Sequence, residues 1–200
     1  MRRRLCALMM ILVLPLSACR GGSESEAESM ALEIRSQYLE MTACAGHLDI
    51  TADYGQRVYT YGVDLEWEKE GETTLTLTAP ENVAGTVARI ANGETALEYD
   101  GVMVETGVLD GAGLTPVDAV PALLTCAREG FLAECVLESW DGEQRLHVTS
   151  RDPEKEPGSG VETQLWFQPD TGALLRGEIS SDGVTVITCE VNGFTLTAPT

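Results

Sequence analysis

The sequence predicts an α+β fold in which antiparallel strands outnumber helices. Three observations carry this. Many short runs alternate apolar with polar residues, and Gly-, Asn- or Asp-containing turns separate them. Two segments instead repeat their apolar residues every three to four positions, as helices do. The first of these precedes the strands and the second divides them, so the order is helix, meander, helix, meander.

The first helix is predicted over Ser29–Ala43. Met30, Ile34, Tyr38 and Met41 form its apolar stripe, with Glu33, Arg35, Gln37 and Glu40 between them. Ser29 is its expected N-cap and Gly46 its stop. Gln56–Glu68 then places Val58, Tyr59, Tyr61, Val63, Leu65 and Trp67 at largely alternate positions, which predicts a strand. Lys69-Glu70-Gly71-Glu72 is a turn into Thr73–Thr78, and Pro80–Asn82 interrupts the pattern. Gly85–Ala91 and Glu94–Tyr99 flank Asn92-Gly93, a strong hairpin signal, and Asp100-Gly101 leads into Val102–Leu109.

The second helix opens at Thr115 as N-cap, with Pro116 in its first position. Val117, Val120, Leu123 and Leu124 give it an apolar side, and Pro121 is expected to kink or divide it before Gly130. Phe131–Trp140 and Gln144–Ser150 pair around Asp141-Gly142. Arg151–Gly160, rich in Pro, Gly and charge, reads as a mobile loop. Thr163–Gln168, Leu174–Ser180, Val184–Val191 and Phe194–Thr197 complete the second meander, with turns at Asp170-Thr171-Gly172, Asp182-Gly183 and Asn192-Gly193.

The N-terminus reads as an export signal. Met1-Arg2-Arg3-Arg4 is basic, Leu5–Leu16 is apolar, and small residues follow. The apolar run falls short of the about 20 residues of a membrane span, and Pro15 breaks it near its end. Leu16-Ser17-Ala18-Cys19 resembles the lipobox of bacterial lipoproteins. That resemblance implies cleavage before Cys19 and lipidation of its thiol; an ordinary cleaved signal is the alternative. Arg20–Ser29 lacks apolar periodicity and reads as a flexible tether. The expected organisation is a signal over 1–18, a lipidated cysteine and tether over 19–29, and one domain over 30–200. The expected location is extracytoplasmic, with a lipid anchor in the cell membrane. Arg20 does not match the Asp-type signal for inner-membrane retention, so the outer membrane is open in a Gram-negative cell.

The chain carries 13 Lys and Arg against 32 Asp and Glu, a net charge of −19. Removing Arg2, Arg3 and Arg4 with the signal leaves 10 against 32, or −22. Such a charge repels nucleic acid and anionic lipid head groups. Without a polybasic patch, membrane attachment falls to the lipid alone.

Cys44, Cys126, Cys135 and Cys189 remain after Cys6 and Cys19 are set aside. In an exported domain four cysteines allow two disulfides. The preferred pairing is Cys126–Cys135 with Cys44–Cys189, against free thiols packed as small hydrophobes. No C-x-x-C spacing points to zinc, so neither a metal nor another cofactor is expected.

No catalytic constellation stands out. His47 and His147 are far apart, and neither G-x-S-x-G, H-E-x-x-H nor a phosphate loop occurs. Asp152-Pro153-Glu154 with Glu156 lacks the glycine and spacing of an EF-hand and reads as solvated charge. The expectation is a protein that is not an enzyme.

The order of elements resembles the LolA/LolB-like superfamily of lipoprotein carriers and lipid-binding lipoproteins. Asn92-Gly93-Glu94-Thr95-Ala96-Leu97-Glu98-Tyr99-Asp100-Gly101 looks like the central hairpin of that family. Leu165-Trp166-Phe167-Gln168-Pro169-Asp170-Thr171-Gly172-Ala173-Leu174-Leu175 looks like its aromatic-to-glycine turn. The resemblance implies a curved antiparallel sheet, an incomplete barrel, that covers both helices and takes a lipid or other apolar ligand in its concave face. Trp67, Trp166, Phe167, Met103 and Val104 would equally serve as ordinary core. Arg57 and Arg89 are the candidates for the cavity arginine of some family members, though neither lies in a matching motif. The alternative function is an envelope sensor or scaffold that binds a protein partner without a ligand cavity.

Overall fold

A computed structural model describes residues 21–140 and 142–199. The expected signal, Cys19, Arg20, Asp141 and Thr200 lie outside the described residues.

Helix α1 spans Gly21–Glu40 and starts eight residues before the expected Ser29. Residues 21–29 are therefore helical, which corrects their reading as a tether. Ala27 and Ala31 explain the extension: both are buried and continue the stripe of Ile34, Tyr38 and Met41 toward the N-terminus. Alanine has a weak hydrophobic signature but the highest helix propensity.

Strand β1 spans Ala43–Asp53, a region where no strand was expected. Its period-two pattern is masked by small residues and by a bulge between Ala45 and His47. Gly46 lies within this strand and does not stop the helix. A Cβ on Gly46 would come within 3.2 Å of the Phe194 ring, which stacks on Tyr38 at a centroid distance of 6.2 Å.

Strands β2 (Val58–Glu68), β3 (Thr73–Ala79), β4 (Val87–Ala91), β5 (Glu94–Tyr99) and β6 (Val102–Val108) then walk outward from β1. Helix α2 (Pro116–Glu129) carries the chain back to the far edge. Strands β7 (Leu132–Trp140), β8 (Glu143–Arg151), β9 (Val161–Phe167), β10 (Leu174–Ser181) and β11 (Val184–Thr197) walk inward until β11 pairs with β1. The result is one antiparallel sheet in the order β6-β5-β4-β3-β2-β1-β11-β10-β9-β8-β7. Edges β6 and β7 do not pair, so the barrel is incomplete, as expected.

Asn192-Gly193 does not end a strand. It lies within β11 opposite the bulge of β1, where Gly193 adopts a φ of 64°. The Asn-Gly pair bends one long strand here. Helix α2 begins as its sequence predicts: the Thr115 hydroxyl accepts from the Asp118 N–H at 3.3 Å. Pro121 does not divide it, and the helix runs unbroken to Glu129.

The two helices fill one side of the fold. Helix α1 packs on β7, β8 and α2, while α2 also packs on β9 and β1. Leu123 sits so close to β10 that a Cβ on Gly177 would meet its methyl groups at 2.6 Å. Leu146, Val148, Leu165, Ile179 and Ile187 are buried beneath the helices. No described helix is long and apolar enough to cross a membrane.

Candidate functional site

The concave face of β2–β5 has no helix lying along it. The first turn of α2 stands over its centre, and an apolar cavity of about 290 Å3 remains between them. Val63, Leu75, Ala88 and Leu97 form its floor from four neighbouring strands, and Pro116 and Val117 form its roof. Cross-strand register explains the floor. Val63 faces Leu77, Leu75 faces Ala88, and Ala88 faces Leu97, so these inward positions share one side of the sheet. Thr86 and Tyr61 supply hydroxyls at the lining. Tyr61 ends a row with Tyr59 and Tyr54, and the Tyr54 hydroxyl donates to the Leu114 carbonyl at 3.1 Å. The row thus ties the β1–β2 hairpin to the loop before α2.

A larger hollow of about 580 Å3 lies on the other side of α2, bordered by Ile90, Leu109, Pro121, Cys126, Ser150 and Thr163. Buried Asp118 stands at its wall, where its carboxylate accepts from the Gly113 N–H at 2.8 Å. Burial raises the Asp118 pKa, and Asp110 adds to the shift through a shared hydrogen bond. The Asp110 value is lowered, first by the Ala112 N–H and then by Asp118. This pair closes the loop over residues 109–115 and gives the hollow an acidic rim.

The histidines occupy the convex face. His47 Nδ1 lies 2.6 Å from an Asp64 oxygen, across from β1 to β2. His147 Nδ1 lies 2.5 Å from Glu138, and its ring stacks on Trp166 at 4.3 Å. Trp166 donates to the same Glu138 at 3.3 Å, and Arg176 lies 5.6 Å from the Trp166 ring centroid. Both histidines lie in cross-strand ladders outside the concave face. Among the described residues, no three His, Cys, Asp or Glu side chains gather with metal-holding geometry. Asp152 caps its own loop by accepting from the Glu154 N–H at 3.0 Å.

Arg89 also projects from the convex face, where it pairs with Glu72 at 2.5 Å and Glu98 at 3.4 Å. Arg57 stands exposed just before β2. Neither lines the apolar cavity.

The four described cysteines are free thiols, and the expected disulfides are corrected. Cys44 pairs in register with Leu196, whereas Cys189 pairs with Ile50. Six residues of strand, roughly 20 Å, separate them, against a limit of about 7 Å for Cα atoms in a disulfide. Cys126 turns to the Ser150 and Thr163 side chains. Cys135 lies on β7 opposite Val148, while Ser150 pairs with Leu132. Three residues of strand, about 10 Å, thus part the two sites. Burial pushes the Cys44 and Cys189 pKa values up to about 12.

The aromatic and apolar candidates separate by face. Phe167 is core and meets Tyr38 edge to face at 5.5 Å. Trp67 packs against the core beneath Arg128. Trp166 is buried from the convex side. Met103 and Val104 are neither core nor cavity floor: they stand exposed on the edge strand β6. Val83, Thr86, Pro116 and Val117 were not expected in the site. The break at Pro80 and the helix start at Pro116 were visible, but their meeting requires the fold.

No family model and no curated protein matches the sequence. Solved structures do match in shape. A putative outer membrane lipoprotein-sorting protein domain from Vibrio parahaemolyticus aligns with a TM-score of 0.50 at 11% identity, covering 86% of this chain and 93% of that one. The fold is that of this lipoprotein-sorting domain. An uncharacterized conserved protein from Thermus thermophilus aligns with a TM-score of 0.51 at 11% identity, covering 86% of this chain and 89% of that one. A LolA-superfamily protein from Nitrosomonas europaea aligns at 0.44 and 12% identity, covering 87% and 94%. At these identities the likeness is one of architecture. In this chain, the open half of the sheet is where the concave face stays accessible.

Proposed function

We propose that this chain is a non-enzymatic, extracytoplasmic lipoprotein that binds or transfers a lipid or other apolar ligand in the concave face of its sheet. The proposed layout is a signal over 1–18, a lipid anchor on Cys19 and a single LolA-like domain, with α1 starting at Gly21.

One observation carries the ligand reading: the cavity between β2–β5 and the first turn of α2 is apolar on its floor and roof. Its volume lies at the lower end of the usual ligand range of roughly 300–1,000 Å3. It suits one short acyl chain or the end of a longer one. Each buried methylene contributes about 0.8 kcal/mol, offset by the freedom the chain loses. Thr86 and Leu97 also line an adjoining shelf that runs toward β6, which gives a longer chain a path outward.

Native mass spectrometry of protein exported from a bacterial host, before and after lipid extraction, tests the proposal. The expected result is a bound mass that extraction removes and that Val117→Trp abolishes while the circular dichroism spectrum stays unchanged. A clean apo mass that persists after incubation with mixed envelope lipids overturns it. The second reading, a scaffold for a protein partner, is favoured by the exposure of β6.

A further inference from the structure

The outer edge of β6 combines three features. Its outward backbone N–H and C=O groups face no neighbouring strand, because β6 ends the sheet. An unpaired edge recruits an extended segment through main-chain hydrogen bonds. Edges that avoid pairing carry Lys, Pro or a bulge along their length. Val102-Met103-Val104 carries none of these, and the bulge of β6 comes only beyond Glu105.

The two faces beside this edge differ. Val104 pairs with Leu97 and Val102 with Tyr99, so these four side chains lie on the concave side. They form an apolar shelf, on which Val102 is 64% and Val104 56% exposed. The convex side carries exposed Met103 opposite Glu98, and acidic residues beside it. Glu105 lies there opposite Ala96, in the same cross-strand row as Arg89. Arg89 is engaged by Glu72 and Glu98, while Glu94 and Glu105 border a cleft beside it and have no ion-pair partner among the described residues.

We propose that β6 binds an extended segment of a separate protein by strand addition. The segment carries apolar side chains at alternate positions, toward the shelf, and Lys or Arg at the intervening ones, toward Glu94 and Glu105. The charge decides the occupant. A second copy of this chain brings the same acidic residues to the edge and a net charge of −19, so like charges meet. A basic, amphipathic strand meets complementary charge instead. The opposite edge does not offer the same site, because α1 packs against β7. This inference stands independently of whether the cavity holds a ligand.

A fluorescent peptide of about ten residues, with Val and Lys alternating, tests it, against a Val/Glu peptide and a block peptide of the first composition. The expected outcome is saturable anisotropy for Val/Lys alone. Hydrogen exchange is expected to slow over Val102–Val108. Val104→Arg and Glu105→Lys are each expected to weaken binding about tenfold or more, with an unchanged melting curve, since both side chains are exposed. Equal binding of the three peptides, or protection confined to the β2–β5 cavity, overturns the proposal. So does sedimentation showing that the free protein dimerises through an interface that Val104→Arg removes.

Discussion

The two halves of the sheet are built from similar alternating strands, yet they are used differently. Strands β7–β11 lie under two helices and bury a continuous apolar layer, and β10 gives up a side chain at Gly177 so that Leu123 can approach. Strands β2–β6 are covered more sparsely, with Pro116 and Val117 over β2–β5 and Arg128 over Trp67, which leaves a cavity near the start of α2 and an exposed strand at the rim. In the helix-covered half an inward-facing leucine such as Leu165 is core, whereas in the other half Leu77 and Leu97 border open space. Alternation marks which side chains point inward. What meets them is set by where the helices lie.

Leucine truncations should separate the halves most sharply. Leu165→Ala, beneath the helices, is expected to cost about 2–5 kcal/mol in urea unfolding. Leu77→Ala, on the cavity wall, should cost less than half as much, since the space beside it is already open. Equal losses would break the comparison. Gly177→Ala comes next, at about 1–3 kcal/mol, because the added methyl overlaps Leu123. The same change at Gly101 tests a different property, since that turn has open space but a φ of 76°.

Thr115→Ala should cost about 1 kcal/mol through loss of the α2 cap. It should also weaken ligand binding, because the capped turn forms the cavity roof. Val104→Ser on β6 should fall within about 0.5 kcal/mol of the parent. Hydrogen exchange should follow the same division, with β6 opening at far lower free energy than β9–β11.

The buried thiols of β1 and β11 also predict an alkaline transition. Cys44 and Cys189 hold their protons to about pH 12 when folded, whereas ordinary thiols ionise at about 8.5. Their contribution is fully present below the unfolded value. It declines as pH rises, because the unfolded chain releases protons that the folded chain keeps. Stability should therefore fall between about pH 9 and 12, and Cys189→Ala should flatten that fall. In the native state both thiols should resist a disulfide reagent at about pH 8 and react on unfolding.

Much of the fold was legible where local chemistry is strong. The Thr115-Pro116 helix start, the Asn92-Gly93 hairpin and the alternating strand Thr73–Ala79 all follow from residues acting over a few positions. Strand β1 was not legible, because Ala45 and Gly46 carry no pattern and a bulge shifts the phase. Asn192-Gly193 has turn chemistry that predicts a break between two strands, but the fold uses it to bend β11. The site was less legible still. The floor residues Val63, Leu75 and Leu97 were recognisable as inward-facing, but nothing in their pattern distinguishes a filled space from an empty one.

By itself the sequence determined the acidic composition, the class of fold and the order of most of its elements. These depend on composition and on neighbours within a few residues. Tertiary structure decided which half of the sheet is filled and which stays open, and that the cysteines remain apart. It also left β6 unpartnered at the rim. Each of these depends on contacts between residues distant in the chain, where register and helix placement set distances that no local pattern records.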